Sequence, residues 1–262
     1  MRLAPGFDVD ERQLDSRLSA QTLEAMRAER LGQNKSLPAF YASYLRNALH
    51  GDFGRSQMYS RPVRQLIAES APETLRTAGF GLLFGWSGAF LLATLLSVAR
   101  FRGFDAAGTM LAAVLLAIPA AVIALFFVYA SAPASLAIAL IVFPRIYRYL
   151  RNLLSSASEM PHVLMATARG VGPGRIFFWH VLPPAGRQLL ALAGVSVSIA
   201  IGAAIPVEAL CGIPGLGKLA WQSALGRDLP LLMTVTVLVT VATMFANSAA
   251  DIASEALHLP KG

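Results

Sequence analysis

Residues 155–187 read SSASEMPHVLMATARGVGPGRIFFWHVLPPAGR. This is the longest polar break in the hydrophobic second half of the chain, and its three arginines are opposed by a single acid, Glu159. Ser158 is predicted to cap a helix whose first turn holds Pro161, because a proline there loses no hydrogen bond. The stretch is therefore predicted to begin a short helix between hydrophobic segments.

A glycine turn and a second, aromatic segment follow that helix. Gly170 and Gly172 are expected to end the first helix, and Pro173 to prevent its resumption. Residues 175–181 read RIFFWHV and are expected to form a second short helix, ended by the two prolines that follow. A helix of about nine residues is only about 13 Å long. Such a helix suits docking into a groove on a partner better than crossing a membrane.

The composition is that of a membrane protein. The 262 residues are 55% hydrophobic and 14% charged, with a mean hydropathy of +0.56, which is too apolar for a typical soluble domain. Long uncharged runs match the roughly 20 residues that a helix needs to cross a bilayer. We predict an all-α membrane protein with five transmembrane helices, at 77–99, 106–130 (kinked at Pro119), 134–150, 188–207 and 229–250.

The charge distribution predicts the topology. The net charge is +7, and the positive-inside rule explains it better than nucleic-acid binding does. Arg100 and Arg102 follow the first predicted span, which places that end in the cytoplasm, residues 1–73 outside and the C-terminus inside. Three further arginines at 145, 148 and 151 are expected to snorkel at the cytoplasmic interface beside an aromatic belt of Tyr147 and Tyr149. A buried functional arginine is the alternative.

The segment ATARGVG, followed by RIFFWHVLPPA, resembles the cytoplasmic coupling loop of the inner-membrane subunits of ATP-binding-cassette (ABC) importers. The general motif begins with a Glu that is absent here, as it is in the peptide-importer branch. We name residues 155–187 the coupling loop. The resemblance implies contact with a cytoplasmic ATPase, whereas the residues alone also allow an ordinary cytoplasmic loop. The implied coupling residues are Ala166, Thr167, Ala168, Arg169, Gly170, Gly172, Leu182 and Pro183.

Other blocks are similar to the dipeptide, oligopeptide and nickel permeases. They are RLAPG at the start, GDFGRS at 51–56, P-x-T-L at 72–75, and the outer loop, residues 208–230, with its P-G-L-G and R-D-L-P. The P-G-L-G segment is expected to make a tight reversal. Glu208 is either a substrate-path group or a helix-end carboxylate in contact with water. The implied outer-gate or substrate-path residues are Glu208, Pro214, Gly215, Gly217, Arg227 and Asp228.

Sequence motifs for catalysis are absent. The four histidines form no H-E-x-x-H, no G-x-S-x-G occurs, and Cys211 has no partner for a zinc site or a disulfide. Residues 212–218 match G-x-x-x-x-G-K, but Leu219 stands where a Mg²⁺-binding Ser or Thr is needed. We therefore expect no enzyme activity, metal or cofactor in this chain, with ATP and magnesium bound by partner subunits.

The resemblance implies a complete importer. It implies a second homologous permease subunit, two cytoplasmic ATPase subunits and an extracytoplasmic solute-binding protein, in a bacterial inner membrane. The substrate would be a peptide, nickel or a related small solute. Residues 1–73 are predicted to be an extracytoplasmic segment and residues 74–262 the transmembrane domain. The alternative is a non-transporting, truncated scaffold derived from a permease, and an intramembrane enzyme is disfavoured by the missing catalytic residues.

The family has six helices, the first of which precedes RLAPG. This chain begins with Met1 at that point, and residues 1–73 contain no apolar run that would carry them across the membrane. We therefore expect the native gene to encode about 20 to 30 further, mostly apolar residues upstream.

Overall fold

The computed structural model describes residues 42, 44, 46–48, 50–99 and 102–256, without the side chains of 97–99 and 102–105. The sequence also predicts helices at 20–31 and 37–49. These two segments lie wholly or mostly outside this description, as do the side chains of Arg100 and Arg102 and the C-terminal tail. The described part is helical, and the predicted all-α class is confirmed. Its helices are α1 (Val63–Ala99), α2 (Arg102–Ala117), α3 (Ala120–Tyr129), α4 (Ala134–Ser158), α5 (Pro161–Ala168), α6 (Pro173–Ile176), α7 (Leu182–Leu210), α8 (Leu216–Leu225) and α9 (Leu229–Ala256), with a π turn at Phe177–Val181 between α6 and α7.

The first long helix begins earlier than predicted. Arg61-Pro62 in the sequence predicts the start of a short helix, separate from the span predicted from Thr77, but α1 runs unbroken through both and contains Pro72. Its first turns are held by packing, because Val63 and Leu66 are buried against Leu219 of α8 and neighbouring residues of α9. The predicted boundary between residues 73 and 74 falls inside this helix.

The predicted span at 106–130 is broken at Pro119. The two halves, α2 and α3, meet at an angle of 92°, which is far sharper than the predicted kink. In the part of the chain that the structure describes, three helices, at 63–96, 173–210 and 229–256, are long and apolar enough to cross a membrane, and α2 with α3 makes a fourth if the pair counts as one span. The predicted count of five is therefore not confirmed, because α4 carries three arginines, at 145, 148 and 151.

The core is built around α4, which packs against α1, α2, α3 and α7. Ile138, Val142, Ile146 and Leu150 are fully buried, and their spacing of four residues places them on one face of the helix. Tyr147 is also fully buried and stacks on Phe143 at 5.8 Å between ring centroids. The prediction that Tyr147 belongs to an interfacial belt is therefore wrong.

The arginines of α4 are not buried. Arg145 and Arg148 are exposed and Arg151 is half-buried. The alternative of a buried functional arginine is wrong for the described structure, because the apolar face of α4 occupies the core and turns these side chains away from it.

The prolines at 183 and 184 do not end a helix. The chain continues through α6, the π turn and α7 as one apolar segment, Pro173–Leu210. A proline ring clashes with the carbonyl four residues earlier, and here those carbonyls belong to the wider π turn, where the Leu182 N–H donates to Phe177 O. The predicted stops at Pro183 and Pro184 are therefore wrong. The second helix of the coupling loop begins at Pro173, two residues before its predicted start at Arg175.

The outer loop contains a helix that was not predicted. α8 packs between α7, α9 and the start of α1, with Leu219 buried and Leu216 and Ala220 half-buried against the same cluster. The spacing of these apolar residues is that of a short amphipathic helix. α8 therefore attaches the outer loop to the ends of the long helices.

Candidate functional site

The Glu208 carboxylate is fully buried near the end of α7. Thr74 and Thr77 of α1 donate their hydroxyls to it at 3.1 and 3.0 Å, and the Gly217 N–H of α8 donates to it at 2.7 Å. The Leu216 N–H in turn donates to Thr74 Oγ1 at 2.7 Å. Buried charges need such partners. Glu208 thus joins three helices, and the alternative of a helix-end carboxylate in contact with water is wrong for the described structure.

The glycines of the P-G-L-G segment are needed for close approach. Gly215 has an extended backbone, with φ −99°, but a Cβ atom there would lie 2.6 Å from Thr74 Oγ1 and even closer to the Glu208 carboxylate. A Cβ atom on Gly217 would lie 2.7 Å from the carbonyl oxygen of Ala204. The two glycines let the start of α8 sit directly on the Glu208 carboxylate and the backbone of α7.

The chain reversal after α7 is made upstream of P-G-L-G. Gly212 has φ +73°, a conformation that favours glycine, and the Ile213 N–H donates to Glu208 O at 3.0 Å. The reversal expected at P-G-L-G itself therefore begins two residues before it. Lys218, the lysine of the G-x-x-x-x-G-K match, donates to Gly212 O at 3.0 Å. Residues 212–218 thus form a turn followed by the start of α8, and Lys218 is bonded within this segment.

Asp228 makes a second buried junction, immediately before α9. Ser56 donates its hydroxyl to Asp228 Oδ2, the Met58 N–H donates to the same oxygen at 3.1 Å, and the Leu231 N–H donates to Oδ1 at 3.3 Å. The Tyr59 hydroxyl adds a bond to Gln222 Oε1 at 2.7 Å. The GDFGRS block therefore binds the R-D-L-P block, although 172 residues separate Ser56 from Asp228.

The Ser56 hydroxyl is predicted to stabilise this junction. It donates to Asp228 and accepts the Tyr59 N–H at 3.0 Å. Ser56→Ala therefore leaves the Tyr59 N–H without its acceptor and removes one of the three donors to the buried Asp228 carboxylate. An unpaired buried group costs about 1–3 kcal/mol. The thermal midpoint of the detergent-purified protein is expected to fall for Ser56→Ala and to stay unchanged for Ser60→Ala, whose side chain is exposed in the same loop. Equal midpoints for both variants would contradict this role.

The predicted outer residues do not all meet in one place. Glu208, Gly215 and Gly217 form the first junction and Asp228 belongs to the second, at the opposite end of α8. Pro214 and Arg227 are exposed. Sequence reasoning missed Ser56, Thr74 and Thr77 as their partners, although Ser56 and Thr74 lie inside the GDFGRS and P-x-T-L blocks.

The first helix of the coupling loop has a well-defined glycine stop. Gly170 has φ +76°, the Gly170 N–H donates to Thr167 O at 3.0 Å, and the Val171 N–H donates to Ala166 O at 3.2 Å. These two bonds make a Schellman motif, as expected from the glycine. Pro161 lies in the first turn as predicted, but the predicted cap is wrong. Ser158 belongs to α4 and donates to Ser155 O at 2.7 Å.

The coupling loop presents an exposed apolar surface. Trp179 is 75% exposed and Phe178 57% exposed, and Leu164 and Met165 of α5 are exposed as well. Among the predicted coupling residues, Ala166 is buried, Thr167 and Leu182 are half-buried, and the others are exposed, namely Ala168, Arg169, Gly170, Gly172 and Pro183. His162 bonds to His180 O at 2.9 Å and holds α5 beside the π turn. The exposed surface of the coupling loop therefore combines apolar side chains with the basic Arg169, on a backbone held by the His162–His180 bond.

The two regions lie at opposite ends of one helix. The coupling loop leads into the start of α7 and Glu208 lies near its end. At a rise of about 1.5 Å per residue, the helix separates them by about 40 Å. Among the described residues, no group of three or more His, Cys, Asp or Glu side chains could hold a metal ion.

The chain is similar to known permeases. The profile of the family described as "binding-protein-dependent transport system inner membrane component" matches residues 81–258. The probable peptide ABC transporter permease protein y4tP of Sinorhizobium fredii is 26% identical, over 97% of this chain and 88% of that protein. The oligopeptide transport system permease protein OppB of Salmonella typhimurium is 27% identical, over 91% and 84%.

A solved structure shares the fold. The MetNI methionine ABC transporter in an inward-facing conformation gives a TM-score of 0.64 at 20% identity, and the match covers 74% of this chain and 96% of that one. The family match covers more than half of the chain, and both curated relatives align over most of it. The chain therefore belongs to the family of binding-protein-dependent transport system inner membrane components, the membrane permeases of ABC importers.

Proposed function

We propose that this chain is a permease subunit that moves peptides across the inner membrane, driven by ATP hydrolysis on separate subunits. One observation carries the proposal: a single helix, α7, connects an exposed apolar and basic surface to the buried junction at Glu208. The names of the relatives y4tP and OppB support peptides as the substrate class. Nickel stays a prediction from the sequence resemblance.

The proposed assembly is that of a complete importer. Two ATPase subunits dock on the coupling loops of this chain and of a second homologous permease, and a solute-binding protein delivers substrate at the outer loop. The coupling loop and C-terminus then face the cytoplasm and residues 1–73 the outside. A push on the coupling loop is passed along α7, because a helix bonded along its length moves as a rod.

The exposed Trp179 is expected to contribute to ATPase docking. Large aromatic side chains dominate such interfaces, and truncating one that anchors an interface costs about 2 kcal/mol or more, which is about 30-fold in affinity. Trp179→Ala should therefore reduce co-purification of the co-expressed ATPase subunits without loss of insertion. Trp221 is also exposed, but it lies on α8, beyond the opposite end of α7. Trp221→Ala should therefore leave co-purification intact.

The transport assay tests the proposal as a whole. The chain, its partner permease and both ATPases are reconstituted into liposomes, and ATP-dependent uptake of radiolabelled trialanine is measured with added binding protein. Uptake is expected, and excess Ni²⁺ should compete only if nickel shares the pathway. A complex that binds the ATPases without any uptake would favour the non-transporting scaffold.

A further inference from the structure

The partners of Glu208 show whether the structure uses the negative charge of its side chain or its capacity to accept hydrogen bonds. The described hydrogen-bond partners of the carboxylate are the hydroxyls of Thr74 and Thr77 and the backbone amides of Gly217 and Lys218, all of them neutral. The side chain is completely buried. A group that binds a passing substrate needs a free face on the pathway, and this carboxylate has none in the described structure.

The bonds of Thr74 show that the Oε2 position of Glu208 must be a hydrogen-bond acceptor. Its hydroxyl accepts the Leu216 N–H at 2.7 Å, so its own proton is free to be donated to Glu208 Oε2 at 3.1 Å. The Gly217 N–H donates to the same oxygen at 2.7 Å. Two donors therefore converge on Oε2, and this position needs an acceptor at the full reach of a glutamate side chain.

Thr77 leaves the other oxygen less restricted. The Thr77 hydroxyl has one proton and lies 2.9 Å from Glu73 O and 3.0 Å from Glu208 Oε1. If that proton goes to Glu73, the hydroxyl can accept a bond from position 208. The geometry therefore accommodates either an oxygen or an N–H group at the Oε1 position. A glutamine side chain supplies an acceptor at the Oε2 position and an N–H group at the Oε1 position. The site therefore does not require a negative charge.

We propose that Glu208 is a positioning residue that fastens the start of α8 to α1 and α7, and that it does not contact the transported substrate. The fastening supplies partners to Leu216 N and Gly217 N, two amides of the first turn of α8 that have no partner within their own helix. α8 and the ends of α1 and α7 then move as one body when the outer side opens or closes. The role in transport rests on the proposed function, whereas the fastening itself does not.

Two conservative variants separate fastening from charge. Glu208→Gln keeps the length and removes the charge, and Glu208→Asp keeps the charge and withdraws it by one methylene. Fastening predicts trialanine uptake within about twofold of wild type for Glu208→Gln and about tenfold lower for Glu208→Asp, because the buried Gly217 amide and the Thr74 hydroxyl lose their acceptor. Glu208→Ala should be at least as impaired as the aspartate variant. A substrate-contacting charge predicts the opposite order, and that order would overturn the proposal.

Hydrogen exchange gives a readout that does not depend on transport. In the purified chain, amides 216 and 217 should keep their protection in Glu208→Gln. Amide 217, which donates to Glu208, should exchange about tenfold faster in Glu208→Asp, and amide 216, which donates to Thr74, about tenfold faster in Thr74→Val. Thr236→Val is the control, since the Thr236 hydroxyl bonds Leu232 O in its own helix at 2.8 Å. Unchanged exchange in both the Asp and Thr74 variants would refute fastening. Loss of protection in those variants together with a wild-type complex that shows no uptake would count against the proposed function alone.

Discussion

Gly215→Val is expected to abolish uptake while the ATPase subunits still co-purify with the chain. The backbone at Gly215 has φ −99° and ψ 178°, which valine adopts readily. The expected loss of uptake is therefore due to steric overlap of the added side chain and not to backbone strain. The new Cβ atom would lie 2.6 Å from Thr74 Oγ1 and would overlap the Glu208 carboxylate. Overpacking costs about 1–3 kcal/mol, and displacing either partner adds about 1–3 kcal/mol for each buried group left unpaired.

The matched control for Gly215→Val is Gly202→Val. Gly202 lies on α7, close to the same junction, and a Cβ atom there meets nothing within 4 Å. Uptake and ATPase co-purification are both measured in the reconstituted complex. The interpretation fails if Gly215→Val transports at the wild-type rate, or if it loses ATPase binding together with uptake, because the coupling loop lies at the far end of α7.

Gly170→Val is expected to uncouple ATP hydrolysis from transport without preventing membrane insertion. A Cβ atom at Gly170 meets nothing within 4 Å, but the residue has φ +76°. This left-handed conformation costs about 1–2 kcal/mol for a residue with a side chain, and a β-branched residue is an outlier there. The Schellman motif at the end of α5 would be disrupted, and the orientation of α5 relative to the docked ATPase subunit would change. Substrate-stimulated ATPase activity should fall about tenfold.

Two neighbouring variants isolate backbone strain as the cause. Gly172→Val has the same added bulk, again with nothing within 4 Å, but φ −63° and ψ 148° suit valine ahead of a proline. It should retain activity close to wild type. Gly170→Asn should retain more activity than Gly170→Val, because asparagine tolerates the left-handed region. Equal losses in Gly170→Val and Gly172→Val would attribute the effect to bulk on the docking surface.

The sequence by itself determined the class of the protein and its local backbone features. Long uncharged runs predicted an all-α membrane protein, and motifs in a fixed order predicted the permease family, which the comparisons confirm. The stop at Gly170 and the proline start at Pro161 were also predictable. These features depend on hydropathy and on the allowed φ of one residue, and such properties act within a few positions along the chain.

Local rules failed where packing or neighbouring backbone overrides them. Pro183 and Pro184 end a helix by local rules, yet a π turn ahead of them lets the helix continue. The first turns of α1 and the whole of α8 are held by apolar contacts with one another and with α9. A short helix is marginal on its own, so its stability comes from the surface it packs against.

Only the tertiary structure decided which of the short sequence motifs contact one another. The GDFGRS serine binds the R-D-L-P aspartate, and the P-x-T-L threonine binds Glu208 and the first turn of the helix that begins in P-G-L-G. The paired residues stand between 134 and 172 positions apart. Hydrogen bonds reach only about 3 Å, so such pairs form only after the long helices have packed and brought their ends together.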